Sequence, residues 1–344
     1  LNGRIFEGPV DAENDLLAGL LEMTAQEIGH AVDTTDVLES LVGTLVVTTT
    51  MGSASLNQKR DLTVGPSSVH TDLILDIEGS LVIDGAIAVG NNADLQVDGS
   101  ISRTDDQVLS AIDLTFSATE ASLGTDIDFL DATITTDGPI RIFDSGSFQI
   151  DNLAAADSDI TLSIQADLDL SSAGSISGAS LSLSALNTTL DGDLAIPEPL
   201  SVSSPTGTVS ISGNLQADSL SLTADFLQVN ANGSTTTNVG DLVANAGSIQ
   251  WEGLVESAGD FILNAVDSFV LFEGSGTVAG NFSTSALTSL DYGGDLLITG
   301  DASFDSEGDL TLNAASVING HSLTIDALGS LDLFGLITTT GGVT

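Results

Sequence analysis

Gly240-Asp241-Leu242-Val243-Ala244-Asn245-Ala246 recurs as Gly259-Asp260-Phe261-Ile262-Leu263-Asn264-Ala265 and as Gly308-Asp309-Leu310-Thr311-Leu312-Asn313-Ala314. A looser copy is Gly280-Asn281-Phe282-Ser283-Thr284-Ser285-Ala286. Related stretches that begin with Ser instead of Gly are Ser180-Leu181-Ser182-Leu183, Ser219-Leu220-Ser221-Leu222 and Ser322-Leu323-Thr324-Ile325. Within each copy, apolar residues alternate with polar ones, the period of a half-buried strand. Successive glycines fall about twenty residues apart: Gly79 to Gly99, Gly259 to Gly280, Gly280 to Gly300, Gly308 to Gly329. A twenty-residue period holding two or three short strands and no helix predicts an all-β, right-handed parallel β-helix. In such a solenoid no coil buries its apolar stripe alone, and stacking makes one continuous core.

Working outward, Leu73-Ile74-Leu75, Leu81-Val82-Ile83 and Ile160-Thr161-Leu162 carry the same alternation, separated by Gly, Asn, Asp and Ser. Gly at a corner is expected to supply a positive φ, which Asp and Asn also tolerate. Asn245, Asn264 and Asn313 are expected to stack as a side-chain ladder. Residues 187–206 hold Pro197, Pro199 and Pro205. Proline cannot donate to a central ladder, so an irregular excursion is expected there.

Residues 1–60 differ from the repeats of 61–344. Leu16, Leu17, Leu20, Leu21, Thr24 and Ile28 fall at three- and four-residue spacing, which predicts an amphipathic helix over 11–30. Asp11, Glu13 and Asp15 would sit near its positive end. A second short helix is expected from Asp36, with Glu39 three residues on as in a capping box. The first helix is suited to cover the open end of the coil.

The 344 residues include 49 acids, of which 37 are Asp and 12 Glu, and only five cations: Arg4, Lys59, Arg60, Arg103 and Arg141. A net charge of −44 repels nucleic-acid phosphates and anionic membranes alike. With no cysteine, disulfides and thiolate metal sites are impossible. Disorder needs low hydrophobicity, whereas 42% of these residues are hydrophobic and mean hydropathy is +0.31. No apolar run approaches the ~18 residues of a membrane helix. The chain opens on Leu1 and ends in Thr-Thr-Thr-Gly-Gly-Val-Thr, so it reads as a segment of a larger polypeptide. Lack of cysteine fits export of an unfolded chain.

The Gly-Asp-Leu-x-Leu-x-Ala stretches resemble the repeats of filamentous-haemagglutinin-like proteins and other very large bacterial surface adhesins. The resemblance spans roughly residues 61–344 and is clearest from 208 onward. It implies a right-handed β-helical stalk, export to the cell surface, and adhesive or matrix work. The chain departs from that family in its acidity and in its helix-like start, which is not the usual secretion domain.

Candidate sites are few. Gln26-Glu27-Ile28-Gly29-His30 looks like a zinc-protease motif with its first ligand replaced, and the ligand count fails. Arg103-Thr104-Asp105-Asp106 carries adjacent carboxylates of the kind used in pairs by pectin-cutting glycosidases, but adjacent residues on a strand face opposite ways, which favours a polar turn. A lyase acting on uronates needs cations, and none follows Arg141. Calcium is the more plausible ligand. Asp126, Asp128 and Asp131, with Asp167 and Asp169, place hard oxygen donors at alternate positions. The competing reading is a solvated acidic face that keeps the solenoid soluble. Trp251 either faces outward as a sugar platform or fills the coil, and Tyr292 is the only other large amphipathic aromatic. Phe261, Phe269, Phe282, Phe304 and Phe334 are expected to stack inside.

The expected function is an extracellular or cell-surface structural or adhesive protein: a stalk, surface fibre or filament subunit of a bacterium, without catalysis. Its partners would be further copies or coils joined end to end, and surface glycans or matrix. The alternatives are a β-helix polysaccharide-processing enzyme and a calcium-dependent binding module.

Overall fold

The computed structural model describes residues 4–5, 16–29, 38–136, 138–155, 157–170, 175–313 and 317–344. All of its regular structure is β: short strands paired in parallel, coil upon coil, as a β-solenoid. Contacts divide the chain into two units, residues 1–165 with 175–178, and residues 166–174 with 179–344.

In the first unit the coil begins with three faces. Ala54–Gln58, Leu73–Ile77, Asn92–Val97 and Asp113–Ala118 stack on one. Leu62–Val64, Leu81–Ile83, Ser100–Arg103, Glu120–Asp126, Ile140–Asp144 and Ile160–Ile164 stack on the second. Along this ladder Leu81, Ile101, Ala121, Ile140 and Ile160 are in register, 19 or 20 residues apart. The third face, Ser67–Val69, Ile87–Val89 and Leu109–Ser110, then merges with the second: Leu109 pairs with Thr125 and Ser110 with Asp126.

In the second unit three faces persist. Leu220–Val229 and Leu242–Trp251 each turn one corner without breaking. The consecutive buried pair Ala246 and Gly247 marks it. Eight short strands from Leu194–Ala195 to Leu336–Thr339 form the third face. The Leu, Ile, Val and Ala residues at alternate positions are almost all buried, as a period of two requires.

The largest buried side chains lie together here. Trp251, Phe272 and Tyr292 stack in register on one face, and Phe261 and Phe282 on another. Phe272 and Tyr292 are stacked, with their ring planes nearly parallel at 7° and their centroids separated by 5.0 Å. Phe282-Ser283-Thr284 stacks on Ala302-Ser303-Phe304, so a large residue moves across the coil as a small one takes its place. Interior volume is thereby held constant, as close packing demands.

The Gly-Asx pairs have a different purpose from the one expected. Among the described residues only Gly29 and Gly276 are glycines with positive φ. At Gly259 the constraint is close approach instead: an added Cβ would lie 2.3 Å from Asp241 Oδ1 and 2.7 Å from Gly240 O. The Gly259 N–H donates to Gly240 O at 3.0 Å, and the next N–H, of Asp260, donates to Asp241 Oδ1 at 2.8 Å. Asp260 and Asn281 repeat the arrangement toward Asn281 and Asp301.

Several other expectations are corrected. Leu16–Ala25 is a strand, not part of a helix, and pairs in parallel with Leu38–Thr49, which replaces the second expected helix. Its leucine-rich run satisfies either period, and ladder pairing decides between them. Residues 11–15, His30 and Asp36 lie outside the described residues. Residues 187–206 are largely taken into the ladder. Thr188–Leu190 and Leu200–Ile211 are paired strands, with Pro197 and Pro199 between strands and Pro205 at a register shift between Ser204 and Thr208. The Asn ladder runs Asn245, Asn264, Ser285. Asn313 belongs to another face and donates to Asp291, because Leu310 stacks on Leu290 and not beneath Phe261.

Candidate functional site

A marked interruption of coil regularity in the first unit lies where its third face ends. After Arg103, residues 104–108 cross between faces. Gln107 N–H donates to Thr104 O at 3.4 Å, and Asp105 takes a left-handed φ of 50° between them. Asp is among the few side chains that tolerate this conformation. The Arg103–Asp106 stretch is thus a polar turn, with Asp105 and Asp106 both exposed.

Arg103 folds back from this turn. Its Nη1 donates to Gln107 O at 3.3 Å, and its Cζ lies 4.8 Å from the centre of the Phe143 ring. A cation over an aromatic face is attracted by the ring quadrupole. Gly124, paired with Phe143 in the ladder, makes the room. A Cβ there would sit 2.1 Å from Arg103 Nη1 and 2.5 Å from Gln107 O.

Asp144 follows Phe143 and is 1% exposed. Its Oδ2 accepts the Thr125 hydroxyl and its Oδ1 the Gly146 N–H, each at 2.7 Å. Burial pushes its carboxyl above the usual carboxylate range, against the pull of those hydrogen bonds and of one from the Ile127 backbone. Arg103, Asp106, Phe143, Asp144, Ser163 and Gln165 line a cleft of about 360 Å³.

Asp126, Asp128 and Asp131 are exposed in the first unit, and Asp167 and Asp169 in the second. Asp131 Oδ1 accepts Asn152 Nδ2–H at 3.0 Å, and Asp167 Oδ1 accepts Asn187 Nδ2–H at 2.6 Å. Among the described residues no three carboxylates or imidazoles gather as a metal shell would require. Gln26, Glu27 and Ile28 lie on or beside a ladder strand, without the helix a zincin motif needs. Trp251 and Tyr292 are both 0% exposed and are core residues, not sugar platforms. Phe261, Phe282 and Phe304 are inside as expected, whereas Phe269 is half-buried and Phe334 is exposed.

Phe143 and Asp144 escaped the sequence reading, yet their signal is there. In Ile140-Arg141-Ile142-Phe143-Asp144 the inward positions run Ile, Ile, Asp, and an aromatic stands at an outward one. Both depart from the period-two pattern at the same point. No helix among the described residues is long and apolar enough to cross a membrane. No protein-family model, curated protein or solved structure matches this chain.

Proposed function

We propose that this chain is a non-catalytic structural or adhesive solenoid of a bacterial cell-surface or extracellular protein. The observation that carries the reading is the coil-to-coil ladder itself. In the second unit nearly every inward position is spent on the core and Asp241, Asp260 and Asn281 are spent on inter-coil hydrogen bonds. Such a surface supplies length and spacing rather than chemistry. Acids left on the outer face would keep neighbouring copies apart laterally. Association end to end, or continuation into further coils, is the mode of assembly a parallel ladder favours.

The polysaccharide-processing alternative draws support from one place, the cleft beside Arg103. It is weakened by Asp144, whose two oxygens already accept hydrogen bonds, which leaves Asp106 without a second free carboxyl in the cleft to pair with as acid and base. An antibody raised against the chain should label intact, unpermeabilised source cells or their extracellular material. Labelling that requires permeabilisation would sink the surface reading.

A further inference from the structure

We propose that the cleft lined by Arg103, Asp106, Phe143 and Gln165 binds one neutral sugar ring, a hexose or N-acetylhexosamine of a surface glycan. The proposal deepens the adhesive reading and rests on it for its biological setting, while the chemistry of the cleft stands by itself.

Here the third face ends, the turn at 104–108 stands over the strand that follows, and a concavity of about 360 Å³ results. That volume falls at the lower end of the range for small-molecule sites, roughly 300–1,000 Å³.

The lining suits a sugar ring. Phe143 remains 40% exposed although Arg103 lies over its ring. An exposed aromatic surface is where the C–H face of a pyranose is best buried. Around it stand a donor fork (Arg103), an acceptor (Asp106), a hydroxyl (Ser163) and an amide (Gln165) that both donates and accepts. A sugar's hydroxyls need this mixture, because each one donates and accepts at once.

Arg103 is left with donors to spare. In a chain with 49 carboxylates it makes no ion pair among the described residues; Lys59 with Glu78, at 2.9 Å, is such a pair. Arg103 gives one donor to a backbone carbonyl and keeps its other N–H groups. It is also held in place, by the bond to Gln107 and by the absence of a side chain at Gly124. A donor fixed before the ligand arrives loses little freedom on binding.

Charge then selects the ligand. Asp106 and Asp144 outnumber the single cation of the cleft, and the chain as a whole carries −44. A uronate or sulfated sugar would be repelled.

The test uses the full chain with methyl α-mannopyranoside, methyl β-galactopyranoside, methyl β-glucopyranoside and N-acetylglucosamine as probes, and galacturonate as the anionic comparison. Saturation-transfer NMR should detect at least one neutral sugar. Phe143→Ala and Arg103→Gln should each weaken its binding about tenfold or more, with melting curves confirming that both variants fold; Glu256→Gln, in the second unit, should bind as the parent does. No signal from any neutral probe, tighter binding of galacturonate, or unchanged binding by Phe143→Ala would each overturn the proposal. Beads coated with either protein separate the two readings. If Phe143→Ala beads adhere to cells as well as the parent's, the adhesive reading survives and the cleft is not its site; if neither adheres, the adhesive reading fails while sugar binding in solution is judged on its own.

Discussion

Asp260 Oδ1 accepts the backbone N–H of Asn281 at 2.7 Å, one coil further along, and the side chain of Asn281 in turn accepts the N–H of Asp301 at 2.9 Å. A side chain here does what backbone carbonyls do in the strands: it joins one coil to the next, at the corner where strand pairing is interrupted. Asp and Asn serve equally because each presents the same oxygen.

That equivalence gives the first expectation. Asp260→Asn should leave the melting temperature nearly unchanged, whereas Asp260→Ala should lower it. Gly280→Ala should do more harm than either, by about 1–3 kcal/mol, because its Cβ would meet Asp260 Oδ1 at 2.4 Å and Gly259 O at 2.6 Å. Thermal denaturation followed by circular dichroism ranks the three.

The second concerns Asp144. Removing its carboxyl in Asp144→Ala strands the Thr125 hydroxyl and the Gly146 N–H and should cost about 1–3 kcal/mol. Asp144→Asn keeps an acceptor for Gly146 and can donate to the Thr125 oxygen. Because burial raises the Asp144 pKa, the folded chain holds that proton more tightly than the unfolded one. Its contribution to stability is therefore fully present below about pH 4 and is lost as pH rises through the raised folded value. Asp144→Asn should flatten that part of the stability–pH profile and hold or raise the melting temperature at pH 7. A profile identical to the parent's would refute the assignment.

The aromatic stack supplies the third. Phe282 touches Phe261, Phe272, Tyr292 and Phe304 at centroid distances of 5.3 to 6.2 Å. Phe282→Ala should cost about 3–5 kcal/mol. Tyr292→Phe keeps the ring and discards a buried hydroxyl that makes no well-formed hydrogen bond, so it should be neutral or stabilising by up to about 1 kcal/mol. Urea titrations of the two variants measure both.

The fourth follows from charge. Burial, and then repulsion from Asp98, raise the pKa of Asp76, a sign that carboxylates on this unit crowd one another. Added NaCl should raise the melting temperature by screening. Mg²⁺ and Ca²⁺ should act alike at equal concentration, since Asp126, Asp128 and Asp131 form no three-ligand shell. A response to micromolar Ca²⁺ alone would establish a specific calcium site.

Why the solenoid was legible and the cleft was not has a physical basis. A period of twenty is written many times over, so errors at single positions cancel. The helix expected at 11–30 had no such redundancy. Leu16, Leu17, Leu20 and Leu21 fit two periods, and only pairing with Leu38–Thr49 selects the strand. The repeat at Gly308 lies on a different face from the other copies, because two corners of the coil use the same Gly-Asx solution. The cleft joins Arg103, Gly124 and Phe143 from three successive coils, and a reading along the chain sees each as an ordinary strand residue. Trp251, left open between surface and core, is decided by its register with Phe272.

The stacking also bears on how the chain reaches its folded state. Hydrogen-bonded partners in adjacent coils are separated by a short stretch of sequence, from 16 residues for Thr188 and Ser204 to 25 for Ala25 and Thr50. A new coil therefore needs only the coil before it as a template, and the entropy of loop closure is a small sum at each step. Growth can proceed from one end as the chain emerges, with no distant segment to wait for.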